Sequence, residues 1–123
     1  MIQSVWVEIP AADIERALRF YTALFELDSV DIVDDGPRRT ATMVSTADNG
    51  SPGISLNQTN NFRPHNDGVL VYYYAGDDLN TYLDRVEAAG GKIVETKTQM
   101  GEAGYYATVQ DTEGNLLALY SAQ

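Results

Sequence analysis

The order strand, helix, strand, strand, strand is written twice in this chain, and a repeat of that size limits the available folds more than any other feature. The first copy begins at residues 5–25. Val5, Val7 and Ile9 alternate with Trp6 and Glu8, so the segment reads as a strand with two unlike faces. Pro10 suits the strand's exit, because it cannot donate to a ladder. Asp13 is the expected N-cap of a helix whose apolar stripe is Ile14, Ala17, Leu18, Tyr21, Leu24 and Phe25. Strands are then expected at residues 27–33, 39–45 and 54–58, with turns at 34–37 and 48–53.

The second copy starts with a strand at residues 69–74. A helix follows, capped by Asp77 or Asp78, with Leu79, Tyr82, Leu83, Val86 and Ala89 on its apolar face and Gly90 and Gly91 at its end. Strands at 92–96, 104–110 and 115–121 complete the copy, separated by a loop at 99–103 and a turn at 111–114. The polar stretch 59–67 links the halves and reads as a linker or flap, and its His65 reads as a solvated loop residue.

Neither half carries much core of its own, so the halves are expected to share one. The expected architecture is one α+β domain over residues 1–123, with module one at 1–60 and module two at 68–123. In it, two tandem βαβββ modules form a curved eight-stranded sheet, with the helices on the convex side and the concave side open to a ligand. The face of the first strand that bears Val5, Val7 and Ile9 is the one that packs on the helix, which leaves Trp6 and Glu8 pointing elsewhere.

Charge and composition narrow the partners. The formal net charge is −10 and the eight Lys and Arg are scattered, which excludes a phosphate-binding surface and hence nucleic acid. There is no cysteine, so neither disulfides nor thiolate chemistry arise. No segment approaches the roughly 20 apolar residues of a membrane span, and the N-terminus lacks a signal-peptide pattern. A cytoplasmic protein without a membrane partner is the expectation.

Three segments carry a resemblance to a known family: EIPAADIERALRFYTALF at 8–25, DRVEAAGGKIV at 84–94 and YATVQDTEGNLLALY at 106–120. The chain resembles the glyoxalase/bleomycin-resistance/extradiol-dioxygenase (vicinal oxygen chelate) superfamily, in its uncharacterised glyoxalase-like branch. The resemblance implies a metal site inside the concave sheet, with ligands from the first and fourth strands of each half. Matched by strand-to-helix turns and glycine turns, those positions hold Trp6, Val71, Ser55 and Ala118, none a usual ligand of a divalent ion. No metal at that site and no other cofactor are therefore expected. The resemblance also implies a homodimer.

The same matching lines the cleft with Trp6 and Glu8, Ser55 and Asn57, Val71 and Tyr73, and Ala118 and Tyr120. That set is aromatic with a few polar groups, a composition suited to a small, aromatic or cationic molecule. Glu8 needs a partner, for which Arg38 and Arg39 are available. The first functional expectation is metal-free binding of such a molecule. The alternative is a metal-independent lyase or isomerase in which Glu8 takes a proton and Tyr73 or Tyr120 steadies the oxyanion. The residues leave open whether the chain is an enzyme.

Overall fold

A computed structural model describes residues 1–45 and 50–123; Asp48 and Asn49, expected in a turn, lie outside the described residues. Module one runs β1 (Trp6–Pro10), α1 (Ile14–Phe25), β2 (Ile32–Asp34), β3 (Arg38–Val44) and β4 (Gly53–Thr59). Module two runs β5 (Tyr72–Tyr74), α2 (Asn80–Leu83), β6 (Lys92–Gln99), a 3-10 turn at Gly101–Ala103, β7 (Tyr105–Gln110) and β8 (Leu116–Ser121). The expected tandem βαβββ order is present.

Each module makes its own four-stranded sheet, ordered β1-β4-β3-β2 and β5-β8-β7-β6. The first and last strands of each module pair in parallel, and the remaining pairs are antiparallel. No ladder joins the two sheets among the described residues, so the surface consists of two four-stranded sheets rather than one continuous ladder. The edge strands β1 and β5 flank a cleft between them.

Helix α1 forms as its spacing predicts. Asp13 stands in extended conformation and its carboxylate accepts from the amide of Arg16 at 3.1 Å. Glu26 ends the helix in the left-handed region, at φ 53°. The buried stripe is Ile14, Ala17, Phe20, Tyr21 and Leu24. Each such large side chain removed from water contributes about 1.5–3 kcal/mol, so this one face accounts for much of the drive to fold. It meets Leu56 of β4 and Ala41 of β3 as well as Val109, Leu117 and Leu119 of module two, in a single core.

Three elements depart from expectation. β2 begins at Ile32 rather than near 27, because Leu27 and Val30 turn inward to pack on the core. β5 is only Tyr72–Tyr74. The second helix is α-helical over Asn80–Leu83 alone. Around and beyond it, the amides of Tyr82, Arg85 and Val86 reach three residues back, to Leu79, Tyr82 and Leu83. That tighter winding still buries Leu79, Leu83 and Val86. Asp78 accepts from the amide of Asn80 at 2.9 Å, and Gly90 ends the segment at φ 102°.

The modules are stapled through the β7–β8 turn. Glu113 accepts from the amides of Ala12 and Asp13, at 3.0 and 2.8 Å, and from the Arg16 guanidinium at 2.8 and 2.9 Å. A carboxylate of one module thus caps the first turn of the other module's helix, where free amides and the helix dipole favour an anion. Its side chain is wholly covered, at 0% exposed. Burial by itself would raise the Glu113 pKa, but the bonds from Arg16, Asp13 and Thr112 outweigh it and hold the carboxyl below its ordinary value. Beside it, Asp111 accepts from the Tyr21 hydroxyl at 2.7 Å, from the Asn115 side chain at 2.9 Å and from the amides of Glu113 and Asn115. Asn115 in turn donates to the Pro10 carbonyl at 2.8 Å.

Gly91 lies against the Phe20 ring of the other module. A Cβ there would stand 2.5 Å from the Gln110 carbonyl oxygen and 2.5 Å from the Phe20 ring. Neither neighbour can yield freely, one being backbone and the other a core ring. Gly91→Ala is expected to cost about 2 kcal/mol, read from the midpoint of urea unfolding; an unmoved midpoint would show that the contact relaxes.

Candidate functional site

β1 presents two unlike faces, as its alternation predicts. Ile9 is in the core, while Trp6 and Glu8 lie on the other side. Pairing sets Glu8 beside Ser55 and Pro10 beside Asn57 on that same face. The Trp6 ring lies flat over Gly53: a Cβ at Gly53 would fall 2.2 Å from the ring, so glycine is what lets the indole lie down. In that pose the indole N–H donates to the Ser55 hydroxyl oxygen at 3.1 Å. Asn57 donates to the same oxygen at 2.9 Å and accepts from the Thr40 hydroxyl at 3.3 Å. Ser55 and Asn57 are fully buried, so this polar row is satisfied internally rather than offered to a ligand.

Glu8 has the partner that its position demands. Both terminal nitrogens of the Arg38 guanidinium donate to its carboxylate, at 3.0 and 3.2 Å. Both side chains remain partly exposed, at 35% for Glu8 and 44% for Arg38.

The second module places its residues differently from expectation. Val71 and Tyr73 do not share a face with Ala118 and Tyr120. The pairing sets Tyr72 beside Ala118 and Tyr74 beside Tyr120, while Tyr73 sits beside Leu119 on the core side. The cause is one extra residue in the second strand-to-helix turn. The amides of Ala11 and Ala75 make equivalent bonds, to Asn57 and Tyr120. The capping aspartates, Asp13 and Asp78, are one step further apart. Gly76, at φ 71°, stands in that longer turn. Counting back from the cap therefore lands one residue short and flips the face.

Tyr73 packs edge-on against Phe25, with ring centroids 5.7 Å apart. Burial, with a lesser contribution from the charge of Asp111, pushes its phenol up to about 12, so it remains a neutral donor. The Tyr120 hydroxyl donates to the Ala103 carbonyl, and Ala118 is buried. Tyr120 is therefore not brought together with Glu8 and Tyr73, which border the same cleft. Of the adjacent tyrosine pair in β7, Tyr106 meets Tyr72 on the inner face, at 6.4 Å between centroids, and Tyr105 packs on the core side.

The cleft between the edge strands has a volume of about 410 Å³. Its walls include Trp6 and Glu8 of β1, Val69, Val71 and Tyr73 opposite, and Phe62 and His65 from the linker. Ser55, Asn57, Ala118 and Tyr120 are not among its walls. Reading the sequence did not single out Phe62; His65 is an exposed loop residue, as expected, and also borders the cleft. The linker folds back because Asn115 accepts from the His65 amide at 3.2 Å, a contact that joins positions fifty apart and leaves no local signal.

The donor set does not fit a divalent ion. On the faces where the fold family's ligands stand, Glu8 is the one carboxylate in β1, β4, β5 or β8, and Arg38 occupies both of its oxygens. Among the described residues, no group of three or more His, Asp or Glu side chains comes together.

Two sheets, each closed by a parallel first and last strand and sharing one core, define a paired-βαβββ protein with a ligand-sized cleft between its edge strands. The chain belongs to the Glyoxalase/Bleomycin resistance protein/Dioxygenase superfamily, whose model matches residues 3–119. It is 26% identical over 124 residues to the anthracycline biosynthesis protein DnrV of Streptomyces peucetius; the match takes in 94% of this chain but 45% of that protein, so the chain spans about half its length. Among solved structures, it resembles a glyoxalase I mutant from Zea mays, with TM-score 0.74, 18% identity, and 96% of this chain against 46% of that one. It also resembles hypothetical protein SA1046 from S. aureus, with TM-score 0.70, 19% identity, and 98% and 95% covered. These likenesses establish the fold. Among the described residues, no helix is long and apolar enough to cross a membrane.

Proposed function

We propose that this superfamily member binds a small, flat aromatic molecule in the cleft between β1 and β5, without a divalent metal. The observation that carries the reading is the wall itself: Trp6, Phe62 and Tyr73 supply ring surface, and Val69 and Val71 supply aliphatic surface. Glu8 and His65 add the few polar groups that orient a ligand in such sites. The net charge of −10 favours a cationic ligand over an anionic one.

Trp6 is the sole tryptophan, so its emission reports on this cleft alone. Titration with planar aromatic cations is expected to quench or shift that emission saturably and to raise Tm by several degrees at about 100 times Kd. A panel of such compounds that left both signals unmoved would end the reading.

The alternative, proton transfer by Glu8 in a lyase or isomerase, is supported by Glu8 lying in the same cleft. It is weakened by Arg38, which engages both carboxylate oxygens. Glu8→Gln is expected to weaken binding of a cationic ligand severalfold, since it removes the one carboxylate that lines the cleft, while ligand-induced quenching of Trp6 persists at higher concentration. A turnover that Glu8→Gln abolished while quenching persisted would favour the enzyme instead. A homodimer is proposed on the exposure of Tyr72, Tyr74 and Val94, apolar surface that a second copy would cover; elution volume on a sizing column tests it.

A further inference from the structure

Of the two arginines that open β3, one serves the helix side of the sheet and the other reaches the cleft. Arg39 faces α1, where its guanidinium donates to Glu15 at 3.0 and 2.6 Å. Alternation turns Arg38 to the opposite face, the one that carries Thr40 and Asn57, and there it meets Glu8. Arg38 is not itself a wall of the outer cleft between β1 and β5, whereas Glu8 is the one carboxylate that lines it. Among the described residues, Glu8 is also the one side chain that the Arg38 guanidinium engages, each terminal nitrogen taking a different oxygen.

A cation entering the cleft therefore meets not a bare carboxylate but a pair without net charge. It must share or open that pair to gain Glu8. Opening is feasible, because both side chains keep access to solvent. Such a pair is weak, and displacing it costs a competing ligand about two- to fivefold in affinity. An uncharged ring compound stacked on Trp6 incurs no such loss.

We infer that Arg38 is a specificity-determining residue of the cleft. As an internal competitor for Glu8, it sets how far a cationic ligand is preferred over an uncharged one of the same shape. This rests on the proposal that the cleft takes a flat aromatic molecule.

The test titrates the full chain with N-methylquinolinium and with methylnaphthalene, its uncharged near isostere, and reads Trp6 emission. The measured quantity is the ratio of the two affinities. Arg38→Gln is expected to raise the preference for the cation about two- to fivefold. Glu8→Gln is expected to lower it severalfold. The double variant, again without net charge at the pair, is expected to return close to the parent. Arg38→Lys keeps the charge and is expected to stay nearer the parent than Arg38→Gln. The gain in Arg38→Gln is expected to shrink as salt is added. A merely structural role for Arg38 would move both compounds alike and leave the ratio where it was.

Saturable quenching with a ratio that Arg38→Gln leaves unmoved overturns the role of Arg38 and leaves the cleft standing as a binding site. A gain that persists when Glu8 is also replaced overturns it too, since Arg38 would then act on the ligand directly. Quenching by neither compound overturns the binding proposal and this inference together. Should Arg38→Gln fail to fold, Arg38→Met carries the same expectation.

Discussion

Asp111→Ala is expected to lower stability by about 3–4 kcal/mol and to bring Tm down by more than about 10 °C. The residue is 4% exposed, and four donors converge on its carboxylate. Removing it strands the Tyr21 hydroxyl and the Asn115 amide where water cannot replace the acceptor. The damage does not stay local. Asn115 also holds the Pro10 carbonyl at the end of β1 and the His65 amide in the linker, so the loss loosens both the module junction and a wall of the outer cleft. Tyr21→Phe removes one of the four bonds and should cost about 1–2 kcal/mol. Thermal unfolding of the two variants side by side checks the ranking. If Asp111→Ala were no worse than Tyr21→Phe, the junction would be held by apolar packing alone.

Glu113→Gln should weaken the chain by about 2–3 kcal/mol at neutral pH, and the deficit should fade in acid. The Glu113 carboxyl is held below its ordinary value in the folded state. A depressed folded pKa contributes stability that is fully present above the ordinary glutamate range and is lost as pH falls through the lowered value. Glutamine has no such charge to lose. The gap in Tm between the parent and Glu113→Gln should therefore be widest near neutrality and narrow below the ordinary glutamate pKa. Glu15 and Asp78, also depressed by their Arg39 and Asn80 contacts, titrate in both proteins and cancel in the difference. A gap that stayed constant down to pH of about 3 would mean that Glu113 acts by shape, not by charge.

The turn that carries both residues illustrates how much could be read in advance. DTEG at 111–114 is legible as a turn between strands, and it was expected as one. Nothing in those four residues says that their carboxylates close onto the other module's helix, because the partners of Glu113 lie about a hundred positions away. The same holds for the cleft. Trp6 and Glu8 could be placed on the face away from α1 by alternation, and the Glu8–Arg38 pair was foreseeable from charge and strand position. Phe62 and His65 could not, since an irregular loop has no periodicity from which to infer where it lies.

The second module marks the sharper limit. Its strand was visible, but a single extra residue in the turn at Gly76 moved Tyr73 from the inner face to the core and Tyr72 and Tyr74 the other way. A strand of three residues holds too little alternation to reveal its own phase. The phase is set by the ladder to β8, a contact between residues 46 apart in sequence, as in Tyr72 with Ala118.

Local chemistry therefore carried the element order, the N-cap at Asp13, the apolar stripe of α1 and the twofold layout, since each depends on neighbours within a turn or a strand. Long-range closure chose the rest: the phase of β5, the folded-back linker and the shared polar latch. Those features arise only when segments distant along the chain meet, and the free energy that selects them belongs to the assembled core.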